Sequence, residues 1–135
     1  MNLKYIYTRL NVENYTDCKI FYQNILGFKV SLADDAEEYA ELDAGATKIT
    51  ILNRARLKDY IDSIETATYD RRDAKMILTF AVPDLDDAIS QLKAKGVPIF
   101  SSPWQYPEEG LSGGLISACF RDPDGNLIEL EQILS

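Results

Sequence analysis

The sequence predicts an α+β fold made of two βαβββ modules, and three observations predict it. Strand-like and helix-like patterns follow one another in the order β-α-β-β-β, then a polar stretch, then β-α-β-β-β again. Each half holds one amphipathic helix pattern, stopped by Gly27 in the first and Gly96 in the second. Sliding the first strand along the chain so that Tyr7 falls on Ile77 also puts Leu10 on Phe80 and Val12 on Val82, and it brings the two helix stops into register within one residue. Module one spans residues 1–53, a connector 54–75 and module two 76–135, together a single domain of 135 residues.

The elements follow in order. "KYIYTRLNV" (4–12) is rich in aromatic and β-branched residues and reads as a strand, with Tyr5, Tyr7 and Arg9 on one face and Ile6, Thr8, Leu10 and Val12 on the other. "ENYTDCKIFYQNILGF" (13–28) reads as a helix capped by Asn14, with Ile20, Phe21 and Ile25, joined by Cys18 and Leu26, as its apolar stripe. "FKVSLA", "EYAELDA" and "TKITIL" read as three strands, with turns at Asp34–Asp35 and Ala44–Gly45. The connector is charge-rich, with a short helix expected around Leu57 to Ile64. "KMILTFAV" restarts the pattern as a strand. "PDLDDAISQLKAKG" follows as a helix capped by Asp84 and striped by Leu85, Ala88, Ile89 and Leu92. "VPIFSS" (97–102) reads as a strand, "SSPWQYPEEG" as a loop, and "GLSGGL" (110–115) as a Gly-rich spacer. "LISACF" and "NLIELEQ" form a closing hairpin around Asp-Pro-Asp-Gly-Asn, where Asp122 and Asp124 are turn formers. Beyond that turn Leu127, Glu129 and Glu131 share one strand face, with Ile128 and Leu130 on the other.

Bulk composition removes several functions. With 14 basic and 22 acidic residues the net charge is −8, which disfavours nucleic-acid binding. The chain has no histidine, which excludes Ser-His-Asp and Cys-His catalysis and the commonest transition-metal ligand. No apolar run reaches bilayer-spanning length, so no membrane association is expected, and "MNLKYIYTRL" lacks a signal-peptide core, so the expected compartment is cytoplasmic. The two cysteines, Cys18 and Cys119, have no disulfide or zinc spacing and are expected to be reduced and largely buried.

Two stretches carry a family resemblance. "FYQNILGF" (21–28) is similar to a helix-ending FY-x-x-x-LGF, and "FRDPDGNLIEL" (120–130) to a DPDGN-x-IEL. Together, inside a repeated β-α-β-β-β order, they resemble the vicinal oxygen chelate superfamily, the group of glyoxalases, bleomycin-resistance proteins and extradiol (ring-cleaving) dioxygenases. The resemblance implies two modules curled around a shared cavity and, in the enzymes, one divalent metal held by the first and last strands of each module. Carried over, those positions are Tyr7, Thr50, Ile77 and Glu129. Only Glu129 is a strong ligand; Ile77 supplies nothing, and neutral Tyr and Thr hydroxyls are poor donors. No cofactor is therefore expected. A divalent metal held by displaced carboxylates such as Glu41, Asp43 or Glu131 is a second option that the residues do not favour.

Ligand contacts are expected from Tyr5, Tyr7, Arg9, Thr50, Ile77, Trp104, Tyr106 and Glu129. For Glu129 two readings stand level: a cavity carboxylate pairing with Arg9 or a ligand, or a structural hydrogen bond to the sheet or to Tyr7. The resemblance then implies a small-molecule-binding protein that sequesters its compound without a metal, assembled as a twofold homodimer. The alternative is a lyase, isomerase or dioxygenase with a non-standard or absent metal, in which Glu129 is the candidate general base. A structural or regulatory module acting through its dimer is the third option.

Overall fold

A computed structural model describes residues 1–2, 4–59, 76–99, 104–106 and 114–134; side chains at 57–59, 104 and 106 are not described. The chain divides into two compact units, Met1–Asp70 and Arg71–Ser135. In the first, β1 (Tyr7–Val12), helix α1 (Tyr15–Ile20), β2 (Lys29–Asp34), β3 (Tyr39–Asp43) and β4 (Lys48–Asn53) build one sheet in the order β1-β4-β3-β2. In the second, β5 (Ile77–Ala81), α2 (Leu85–Ala94), β6 (Trp104–Tyr106), β7 (Leu115–Arg121) and β8 (Leu127–Ile133) repeat that plan as β5-β8-β7-β6. The first strand of each unit runs parallel to the last, and the remaining pairs are antiparallel. The α+β class and the twofold βαβββ order thus stand as the sequence predicts.

Each sheet buries one face under its helix. In the first unit Leu10, Val12, Ala40, Leu42, Ile49 and Ile51 are buried on that side, where α1 contributes Tyr15 and Cys18 and the turn that continues it Phe21 and Tyr22. The helix stripe differs from the expected one. Ile20 is 47% exposed, while Tyr15 and Tyr22 are buried. Tyr15, Cys18 and Tyr22 recur at helical spacing, and counting tyrosine as polar hides that stripe. After Ile20 the helix widens into a π-turn over Phe21–Ile25, where the Leu26 N–H reaches the Phe21 carbonyl at 3.0 Å. Gly27, at φ +80°, then lets the Phe28 N–H close back on Tyr22 O at 3.0 Å.

In the second unit Leu85, Ile89 and Leu92 of α2 are buried, as are Ala118, Phe120, Ile128 and Leu130 of the sheet. Asp84 caps the helix by accepting from the Asp87 N–H at 3.0 Å. Three expected boundaries shift. β1 begins at Tyr7 rather than residue 4. Residues 97–99 are not a strand; the strand lies later, at Trp104–Tyr106, so these two aromatics pair with β7 instead of occupying a loop. The helix expected from Leu57 starts as a 3-10 turn, Arg54–Asp59. Its remainder, the end of "VPIFSS" and most of "GLSGGL" lie outside the described residues. No described helix is long and apolar enough to cross a membrane.

The closing turn is held chiefly by the Asp122 side chain, with Arg121 Nη1 donating to the Gly125 carbonyl at 2.7 Å. Asp122 is buried; its Oδ1 accepts from the backbone N–H of Asp124 (2.9 Å) and Asn126 (2.8 Å), and its Oδ2 from Asn126 Nδ2 (2.8 Å). Without that carboxylate, buried donors lose their acceptor. Asp122→Ala should therefore lower unfolding stability by roughly 2–4 kcal/mol in urea titrations. Asp86→Ala, on the exposed first turn of α2, should cost about 0.5 kcal/mol or less.

Candidate functional site

Strand register fixes what stands beside what on the face of each sheet away from its helix. In the first unit Tyr7 lies beside Lys48, Arg9 beside Thr50, and Glu41 beside Thr50 from the other side; Asp43 adjoins Lys48, and Tyr39 adjoins Leu52. Directly paired residues point to the same face. Thr50 is therefore the centre of a three-strand patch, with Tyr7 and Tyr39 at opposite corners.

The side chains close over that centre. The Arg9 guanidinium carbon lies 5.5 Å from the Tyr7 ring centre and 5.7 Å from that of Tyr39, within cation–π range of both, while Arg9 Nη2 donates to the Tyr7 hydroxyl at 2.8 Å. A group that reaches both corners must pass over the middle, and Thr50 beneath it is fully buried. The Thr50 hydroxyl has no hydrogen-bond partner among the described residues, a state that costs about 1–3 kcal/mol unless something satisfies it.

Glu41 anchors the far side. Its carboxylate accepts from the Tyr39 hydroxyl (2.7 Å) and from Lys48 Nζ (3.0 Å). These two hydrogen bonds hold its pKa below the usual glutamate value, against some desolvation. In turn, burial first and the Glu41 hydrogen bond second push the Tyr39 phenol from 10.0 up to about 12.

The second unit carries the same plan with other residues. Thr79 pairs with Glu129, and Glu129 with Cys119. Since Arg9–Thr50–Glu41 and Thr79–Glu129–Cys119 hold matching places in their sheets, Thr50 is the counterpart of Glu129. Glu129 is half-buried and accepts from the Thr79 hydroxyl at 3.0 Å, a bond within its own sheet. Ile77 is 49% exposed. Tyr5 precedes β1, is 67% exposed and pairs its hydroxyl with Thr8, so it does not extend the Tyr7–Arg9 row. Trp104 and Tyr106 pair through their backbones with Ser117 and Leu115. Neither cysteine is in a disulfide; Cys18 is buried, and Cys119, on the face away from the helix, is less so.

These donors do not fit a divalent metal. The Arg9 guanidinium lies against the Tyr7 ring and donates to its hydroxyl, so positive charge already engages one of these four positions. Ile77 has no donor atom. Among the described residues no three of Asp, Glu or Cys converge at metal-holding distance, and the displaced carboxylate Glu41 is engaged by Tyr39 and Lys48.

A separate cleft of about 400 Å³ lies at α1 and the β2–β3 turn, lined by Tyr15, Lys19, Gln23, Asp35 and Glu38 among others. Two of its charges, Lys19 and Asp35, pair with each other. Asp35 accepts from the Tyr15 hydroxyl (2.7 Å) and Lys19 (3.0 Å), which lowers its pKa, while burial and Asp35 raise that of Tyr15. The cleft ties the hairpin to the helix.

Residues 4–130 match the family model of the Glyoxalase/Bleomycin resistance protein/Dioxygenase superfamily. The chain is 32% identical over 132 residues to the uncharacterized protein YraH of Bacillus subtilis, covering 98% of this chain and 100% of that one. It is 28% identical over 123 residues to the virulence protein STM3117 of Salmonella typhimurium, covering 91% and 79%. Among solved structures it is similar to TnmS3, an antibiotic binding protein from Streptomyces sp. CB03234, with TM-score 0.66, 21% identity and 98% of each chain covered.

Tyr39 yields a pH test. Its phenol is protonated more firmly in the folded protein, so its contribution to stability is complete below pH 10.0 and is lost as pH rises towards about 12. Ultraviolet titration of the 8 tyrosines should show a late-ionising fraction that shrinks in Tyr39→Phe.

Proposed function

The chain belongs to the Glyoxalase/Bleomycin resistance protein/Dioxygenase superfamily, and within it we propose a small-molecule-binding protein that sequesters its ligand without a metal. The observation that carries this reading is the patch around Thr50. A member acting through a divalent metal needs several strong donors at the strand positions occupied here by Tyr7, Thr50 and Ile77. Those positions instead hold aromatic, hydroxyl and apolar groups, and the space above Thr50 holds a guanidinium flanked by two tyrosine rings. Aromatic walls with a few fixed polar groups suit recognition of an organic compound. The antibiotic-binding role in the name of the structural relative TnmS3 agrees with this reading. Twofold pairing of two chains through sheet edges is part of the proposal, because β1 and β2 end one sheet and β5 and β6 the other.

Calorimetric titration with bleomycin and other cationic antibiotics, in the presence of a chelator, tests the function. Micromolar binding is expected, lost in Tyr39→Ala, with the compound recovered unchanged by mass spectrometry. Conversion of the compound to a product would replace sequestration by the lyase, isomerase or dioxygenase reading, with Glu129 as the base. Metal independence has its own check. A metal at a hundredfold excess over its dissociation constant would add about 2.7 kcal/mol. Zinc, manganese, nickel and iron(II) should leave the melting temperature unchanged; a rise that Glu129→Gln abolishes overturns this part. Light scattering at micromolar protein should give the mass of a dimer.

A further inference from the structure

The patch around Thr50 is already occupied by a piece of the protein itself, and that occupant has a definite chemistry. Arg9 sets a flat cation within 5.5 Å and 5.7 Å of two tyrosine ring centres. The negative faces of such rings favour a cation over a neutral group of the same shape. The Tyr7 hydroxyl accepts one guanidinium N–H at 2.8 Å. The Glu41 carboxylate, next to Thr50 in register, adds negative charge to the same slot and feels the positive charge of Arg9.

Arg9 fills this slot incompletely. It covers Thr50 without bonding it, since the buried Thr50 hydroxyl has no partner among the described residues. Arg9 also stands on β1, at the edge of its sheet, on a long side chain with several rotatable bonds. Swinging it outward would leave two ring faces, two hydroxyl oxygens and a nearby carboxylate.

We propose that the bound compound contributes a planar cationic group, a guanidinium, an amidinium or a protonated heteroaromatic ring, which displaces the Arg9 side chain from between Tyr7 and Tyr39 and donates to the Thr50 hydroxyl. Arg9 is then an internal stand-in for the ligand, covering the site when no compound is bound. This rests on the reading of the patch as a small-molecule site and adds the class of group that it takes. The chain's net charge of −8 also favours the approach of cations over anions.

Benzamidine, with neutral benzamide as its isostere, tests the inference on the full chain. Arg9→Ala empties the slot, so benzamidine should bind this variant about tenfold more tightly than it binds the wild type and raise its melting temperature. Benzamide should do neither, and adding Thr50→Val to Arg9→Ala should remove most of the gain. A second measurement needs no variant. In the wild type the Arg9 Nε–H resonance should move towards its solvent-exposed position as benzamidine is titrated in, because the two rings no longer flank it. Equal binding of benzamidine and benzamide, equal benzamidine affinity in wild type and Arg9→Ala, or an Arg9 resonance that does not move would overturn the inference. If bleomycin binding still depends on Tyr39 while benzamidine fails these tests, only the planar-cation inference falls. If both fail, the small-molecule reading of the patch falls with it.

Discussion

A first strand laid parallel against the last strand of the same module is the constraint on which the site depends. Neighbouring strands in sequence can pair through a tight turn, but a parallel pair needs a crossover, and here the crossover includes a helix and two further strands. The result is that residues far apart in the chain become side-by-side neighbours, Arg9 with Thr50 in one module and Thr79 with Glu129, 50 positions apart, in the other. The period of two then does the rest. Once Leu10, Val12, Ile49 and Ile51 are committed to the helix side by their burial, Tyr7, Arg9, Lys48 and Thr50 have only the opposite face. A slip of one residue would put charged groups into the core, so the same apolar packing that stabilises the sheet also aims the site.

The duplicated plan has been filled differently in its two halves. Around Thr50 the module-one residues form a charge-compensated aromatic patch, in which Glu41 is held by Tyr39 and Lys48, and Arg9 by the rings of Tyr7 and Tyr39. At the matching place module two has a carboxylate supported by a threonine hydroxyl. The buried hydroxyl of Thr50, without a hydrogen-bond partner among the described residues, is a local irregularity. Buried polar groups are almost always satisfied, and an exception next to a displaceable side chain is where ligand binding can recover what folding leaves unmade.

Much of this was legible in the sequence, for physical reasons. Alternation in "KYIYTRLNV" assigns Tyr7 and Arg9 to one face because the strand is half-buried, and Asp-Pro-Asp-Gly-Asn encodes its own turn through Asp122. Tyr39 and Lys48 carry no motif that marks them, although "EYAELDA" and "TKITIL" have the same alternation and put Tyr39 with Glu41 and Lys48 with Thr50. What alternation cannot supply is the register between strands, and so the position of Tyr39 diagonally across Thr50 from Tyr7. Ile20 and Tyr22 mislead for a different reason. A tyrosine buries its ring while its hydroxyl remains polar, and the π-turn alters the helical phase just where the stripe continues.

The central claim is that Arg9 and Tyr39, on strands separated by β4, are energetically coupled above Thr50. A double-mutant cycle on unfolding stability, using Arg9→Ala, Tyr39→Leu and the pair, measures that coupling directly. The account predicts that the two single losses exceed the double loss by about 0.5–1.5 kcal/mol, the range of a partly desolvated cation–π contact. Additive losses, with no coupling beyond error, would contradict it.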